Sequence, residues 1–192
     1  MPTPKELMIL PFASAFLWKQ WLAEHFSQAD GVWLKIAKKE SKIASVTYDE
    51  ALDEALCYGW IDGQRKSFDN NYFLQKFTPR RPGSLWSKRN INKVAELTAA
   101  NRMHSSGLAE VETARADGRW EAAYDSARNM VIPEDFLVAL EENNQAKVTF
   151  ETLNQTNLYT IVWRLQTARN PETRRRRLET ILATLEKGEK FH

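Results

Sequence analysis

Residues 56–90 read LCYGWIDGQRKSFDNNYFLQKFTPRRPGSLWSKRN, and the alternation of turn residues with short apolar runs in this stretch decides the fold. Upstream, Leu52, Ala55 and Leu56 form a helical apolar stripe, and Gly59 stands where a left-handed residue closes a helix. Extended chain begins at Trp60, and Asp62-Gly63 reads as a tight turn. Asp69, Asn70 and Asn71 make a stronger turn, followed by a period-two segment in which Tyr72, Leu74 and Lys76 alternate with Phe73, Gln75 and Phe77. Pro79 and Pro82 end that strand, because proline lacks an N–H and holds the preceding residue extended. Ser87 is the expected N-cap of a helix with the stripe Ile91, Val94, Ala95 and Thr98. Lys88 and Arg89 then fall in its first turn, where cations oppose the helix dipole at a cost of about a few tenths of a kcal/mol each.

Charge concentrates in the same region. Between Lys76 and Arg102 seven cations (Lys76, Arg80, Arg81, Lys88, Arg89, Lys93, Arg102) face one acid, Glu96. A helix N-terminus, guanidinium forks and indole rings together suit an anionic ligand. The candidate ligand-binding residues are therefore Trp60, Asp62, Lys66, Arg80, Arg81, Trp86, Ser87 and Asn90. Asp62 is the one carboxylate among them and the weak catalytic candidate, as a base beside Lys66 or Arg80. The structural alternative is that the aromatics fill core, Asp62 serves the turn, and the arginines are solvated or paired with the acidic segment Ser105–Gln145. That segment carries nine acids against Arg115, Arg119 and Arg128.

The runs Leu56-Cys57-Tyr58-Gly59-Trp60-Ile61-Asp62-Gly63-Gln64, Phe77-Thr78-Pro79-Arg80-Arg81-Pro82 and Trp86-Ser87-Lys88-Arg89-Asn90 resemble the bacteriocin-protection family, also called the YdeI/OmpD-associated family. Similarity continues through Arg102-Met103, Gly107-Leu108 and Asp117-Gly118-Arg119-Trp120, and the end of the chain resembles the family's C-terminal OmdA-type domain. Asn101 departs from the glycine expected before Arg-Met, although asparagine also tolerates left-handed backbone. The resemblance implies a role in bacteriocin or stress resistance and supplies no catalytic residue.

With 192 residues, 43% of them hydrophobic and including seven Trp and nine Phe, the chain can bury a real core. Its net charge of +2 leaves only charge asymmetry to attract anions, and the acidic segment argues against nucleic acid. The N-terminal run MPTPKELMILPF has neither a basic start nor the length of a secretory or membrane-spanning segment, so a cytoplasmic location is expected. The single cysteine, Cys57, excludes an intrachain disulfide and sits at a helix C-terminal end, where the dipole disfavours a thiolate. His25, His104 and His192 share no metal-ligand spacing, and the glycine motifs of serine hydrolases, P-loops and dinucleotide folds do not occur. No metal and no cofactor is expected. His104 reads as a helix cap.

Outward from the central stretch, the broad stripe Phe12, Phe16, Leu17, Trp18, Trp21, Leu22 and Phe26 predicts a deeply buried helix over Phe12–Gln28. After Gly31, Val32, Leu34 and Ile36 alternate with Trp33, Lys35 and Ala37 as a half-buried strand, and Thr47-x-x-Glu50 is a capping box. Beyond Asn90 the sequence reads helical: 91–100, a weaker helix over 107–116, a short turn or helix at 120–128, then helices opened by Pro133 and by Asn170-Pro171-Glu172, with Leu158, Ile161, Val162 and Leu165 between. Arg174 to Arg177 point around a whole helix circumference, so one of them is expected at the apolar seam with its head on a carboxylate. The expected fold is α+β, a small, mainly antiparallel sheet with flanking helices over residues 1–130, followed by an all-α C-terminal domain over 131–192. The functional expectation is a protection protein that binds an anionic small molecule or acidic peptide. The alternatives are an enzyme acting on a small acidic metabolite and a nucleic-acid-associated protein, and a protein partner is also compatible.

Overall fold

The computed structural model describes residues 6–191; residues 1–5, which open the N-terminal run, and His192 lie outside them. The chain is α+β. Strand β1 (Ile9–Pro11), helix α1 (Ala15–His25) and strand β2 (Val32–Ala37) form one unit whose two strands pair in parallel. Helix α2 (Tyr48–Cys57) leads into the hairpin of β3 (Trp60–Ser67) and β4 (Tyr72–Pro79). β4 pairs antiparallel with both β2 and β3, giving the order β1-β2-β4-β3. The sheet is thus mixed, with two antiparallel pairings and one parallel. Helices α3 (Lys88–Ala99), α4 (Ser105–Ala116), α5 (Glu134–Glu141), α6 (Asn144–Glu151), α7 (Gln155–Gln166) and α8 (Pro171–Glu186) complete the chain, so the C-terminal region is helical.

Two compact units result, one of Met1–Ser84 with Asn92–Gly118 and the other of Leu85–Ile91 with Arg119–His192. In the first, the in-register residues Val32, Leu34 and Ile36 of β2 and Phe73, Gln75 and Phe77 of β4 are all buried on one sheet face. Trp18 anchors the core on that side, with its ring 5.3 to 6.3 Å from those of Phe12, Trp21, Trp60 and Phe77. α2 is fixed at its start by the Thr47–Glu50 capping box. At its end the start of α4 folds over it: His104 N donates to the Cys57 carbonyl at 3.0 Å and Ser106 Oγ to that of Tyr58 at 3.0 Å. Orphan groups of the two helix ends satisfy each other in this way. Gly59 (φ +78°) makes the turn that follows α2, Asn101 holds φ 52° at the end of α3, and the His104 side chain caps α4 by accepting from Ser106 N.

Two local expectations are corrected. Asp62-Gly63 is not a tight turn but the start of a bulge within β3, where the register shifts between Asp62 and Arg65. The reason lies across the sheet: the buried Gln75 amide donates to the carbonyls of Gly63 at 2.9 Å and Gln64 at 3.3 Å, replacing the ladder bonds that the bulge breaks. The hairpin turn is the later one, where Asp69 Oδ1 accepts from Asn71 N and Tyr72 N, both at 2.8 Å. The helix expected to be deeply buried over Phe12–Gln28 spans only Ala15–His25 and buries Trp18 and Leu22, while Phe16 is 65% exposed and Leu17 43%. It leans on the sheet by one edge of its broad stripe.

The second unit encloses Phe136, Leu140, Ile161, Leu165, Ile181 and Leu185. Asn170 caps α8 with Pro171 in its first turn, and Arg174 grips Asp135 through Nε at 2.8 Å and Nη2 at 2.7 Å, the pairing expected of one arginine in the run. Those hydrogen bonds hold the Asp135 carboxyl below the usual carboxylate range. Ser87 pairs as an isolated bridge with Tyr124, and the Trp86 ring packs tilted at 58° against that of Trp120, with centroids 4.9 Å apart.

Candidate functional site

The sequence-derived site residues separate by unit and by face. Trp60 is 1% exposed; its Nε1 donates to the Phe26 carbonyl at 3.0 Å and its ring stands edge-on to Trp18 and Trp21, so the indole belongs to the core. Asp62 lies on the α2 side of the sheet, where Tyr48 Oη donates to its Oδ2 at 2.8 Å. Beyond the bulge, Lys66 lies on the opposite face, with Nζ 4.2 Å above the Trp33 ring. The Arg80 backbone N donates to the Gly59 carbonyl at 3.0 Å and its side chain is buried, whereas Arg81 is exposed in a turn closed by Ser84 Oγ. Trp86, Ser87 and Asn90 belong to the second unit, with Ser87 Oγ accepting from Asn90 N at 3.2 Å as the cap of α3. Within the first unit, Asp62 and Lys66 therefore do not share a surface.

What sequence reading missed is the other half of the Lys66 surface. Register places Trp33 opposite Lys76, and Lys35 and Lys66 on either side of Leu74. Lys35 Nζ sits 4.1 Å over Tyr72 and 4.8 Å over Phe68, while Lys76 Nζ shares the Trp33 ring with Lys66 at 6.0 Å. Among the described residues none of these three lysines forms an ion pair. An ammonium on a ring face keeps its full charge, because a quadrupole attracts it without neutralising it, at about 0.5–1 kcal/mol on an exposed surface. The alternation of β2 holds Trp33 and Lys35 on one side, but only the strand register adds Lys66 and Lys76, and register is not readable from one sequence.

A cleft of about 680 Å³ opens on the other side of the hairpin, lined by Lys38, Lys39, Tyr48 and Arg65 over Ile43 and Phe73. The Arg65 guanidinium lies 3.7 Å from the Phe73 centroid, and Asp62 braces the cleft through Tyr48. Cys57 takes no part in either surface. Burial, then the neighbouring Glu54 carboxylate, pushes its thiol up to about 11. Two consequences follow: the folded protein is expected to resist iodoacetamide at about pH 8 and to be alkylated once unfolded in urea. A raised folded-state value also means that the stability contribution is complete below the unfolded thiol's value near 9.0 and is lost as pH rises through about 11. Urea midpoints of wild type and Cys57→Ala at about pH 8 and about pH 10.5 check the sign, since only wild type carries this part of the loss. Among the described residues no group of three or more His, Cys, Asp or Glu is placed to hold a metal, and no helix is long and apolar enough to cross a membrane.

Fold and surface together define a small α+β protein with a mixed four-stranded sheet, a basic aromatic sheet face and a helical C-terminal unit. The chain belongs to the family of a domain of unknown function, DUF8412, whose model matches residues 10–110, and it carries at residues 129–188 a match to the family described as "Bacteriocin-protection, YdeI or OmpD-Associated". The resemblance read in the sequence is thus shown by the C-terminal match, and the motifs of the central stretch fall in the first match. No curated protein and no solved structure matches the chain.

Proposed function

We propose that this is a bacteriocin-protection-type protein that acts by binding rather than catalysis, capturing an acidic peptide segment on the lysine and aromatic face of its sheet. The observation that carries the reading is the set Lys35, Lys66 and Lys76, three ammonium groups ordered on rings and without carboxylate partners among the described residues. Among the residues in register on that face, which include Ile9, Trp33, Lys35, Lys66, Tyr72, Leu74 and Lys76, there is no acid. An extended, open surface suits a peptide, whereas small ligands are held in concave sites. The match at residues 129–188 supports the protection role, and the single thiol, buried and without a disulfide partner, is in keeping with a cytoplasmic location.

A fluorescent oligoglutamate peptide is expected to bind wild type at low salt and to weaken about tenfold in the Lys35→Ala/Lys66→Ala/Lys76→Ala triple variant, at about 0.5 kcal/mol per exposed charge pair. No binding by wild type, or equal binding by the triple variant, sinks the proposal. A single-stranded oligonucleotide of equal charge that binds more tightly would move the assignment to nucleic acid. A second reading, an acidic small molecule in the Lys38, Lys39 and Arg65 cleft, draws on that cleft's volume of about 680 Å³, within the range of small-molecule sites.

A further inference from the structure

The arginine run of α8 does two different things. Arg174 is spent on Asp135 and on the Leu165 carbonyl, which it reaches through Nη1 at 2.7 Å. Arg175 points outward to Glu179 at 3.9 Å. Arg176 and Arg177 instead join Arg164 of α7 and Thr180 around a pocket of about 120 Å³. Arg177 is fixed there by Nη1, which donates to the Arg164 carbonyl at 2.6 Å and to Thr167 Oγ1 at 3.1 Å, closing the C-terminal end of α7. Arg164 is held with its guanidinium carbon 4.8 Å from the Phe191 ring centroid. Thr180 gives its proton to the Arg176 carbonyl at 2.8 Å, so the donors facing the pocket are guanidinium N–H groups. Among the described residues none of the three arginines forms an ion pair with a carboxylate.

Like charges gathered without a counter-charge repel one another, and an anion in the pocket reverses the sign of that interaction. Two of the three heads are already ordered, so little freedom remains to be lost on binding. The space, on the order of four waters, suits one compact anion; a guanidinium fork pairs with carboxylate and phosphate alike, and three of them offer donors for the several oxygens of a tetrahedral oxyanion. We propose that the pocket of Arg164, Arg176, Arg177 and Thr180 is a binding site for a phosphate group, whether inorganic phosphate or the terminal group of a phosphomonoester. The site lies wholly in the second unit and does not depend on the lysine face.

The test is isothermal titration of the full chain with inorganic phosphate, and separately with phenyl phosphate, at ionic strength matched with sodium chloride. Wild type and Arg175→Gln are expected to bind alike, and Arg176→Gln to bind at least tenfold more weakly. Arg176 is exposed, so this variant tests the site even if Arg164→Gln fails to fold. Retained phosphate binding in the lysine triple variant shows that the pocket stands apart from the acidic-peptide surface. Tighter binding of phenyl phosphate assigns a monoester, and tighter inorganic phosphate assigns the free ion. Absence of heat with both ligands in wild type, or an equal loss in Arg175→Gln and Arg176→Gln, overturns the proposal.

Discussion

Gly107→Ala is expected to destabilise the first unit by about 3 kcal/mol or more, at or beyond the upper end of ordinary overpacking. A Cβ on Gly107 would lie 2.2 Å from the Cys57 carbonyl oxygen and 2.8 Å from that of Leu56. Both atoms are backbone at the end of α2, and they cannot swing aside as a side chain would. The contact is this close because α4 starts on top of α2, with His104 N and Ser106 Oγ closing the last carbonyls of that helix. Alanine ordinarily gains about 1 kcal/mol over glycine within a helix, too little to offset the clash. Urea denaturation measures the effect, with Gly118→Ala as the comparison. Gly118 has φ +77° and nothing within 4 Å, so its alanine variant bears only the backbone term of about 1–2 kcal/mol. A Gly107→Ala midpoint no lower than that of Gly118→Ala would refute the close packing of α4 on α2.

Trp18→Ala should cost about 3–5 kcal/mol, the range for truncating a large buried aromatic. Trp18 is fully buried, and its ring touches a cluster drawn from α1, β3, β4 and the residue just after β1, so the cavity opens where several elements meet. Its Nε1 also donates to the Ala51 carbonyl at 3.0 Å, which ties α1 to α2. Trp18→Phe keeps most of the volume and loses that bond, for an expected loss of about 1–3 kcal/mol. Near-UV circular dichroism and urea midpoints of the three proteins separate the two contributions. If Trp18→Ala were as stable as Trp18→Phe, the ring cluster would not be what holds the sheet to its helices.

Local chemistry in the sequence was a sound guide wherever the deciding interaction is itself local. The Thr47–Glu50 box, Gly59, the Asn170-Pro171 start of α8 and the alternation of β2 all stand in the structure at the positions their residues indicate. Failures came where a distant residue decides. Gln75, twelve residues from Gly63, turns an apparent Asp-Gly turn into a bulge by supplying hydrogen bonds from the neighbouring strand. The three residues of β1 are too few to show a period, and their pairing rests on β2. Helix α6 escaped notice because Ala146 is its sole buried residue, so no stripe marks it. Of the lysine and aromatic face, the alternation of β2 marks Trp33 and Lys35, but one residue of shift at the bulge decides the face that Lys66 takes.

The same bulge bears on how the sheet ends. β1 and β3 are its outermost strands. β3 presents an interrupted ladder at Gly63 and Gln64 with Arg65 and Lys66 beside it, and β1 is three residues long and closes with Pro11, which has no N–H to offer. Kinks, charge and proline are the means by which edge strands refuse to template further strands. A second chain has no unbroken row of amides to join on either side, which guards the protein against edge-to-edge aggregation. On the proposed acidic-peptide reading, the peptide is then gripped by side chains on the sheet's face rather than sewn in as a fifth strand.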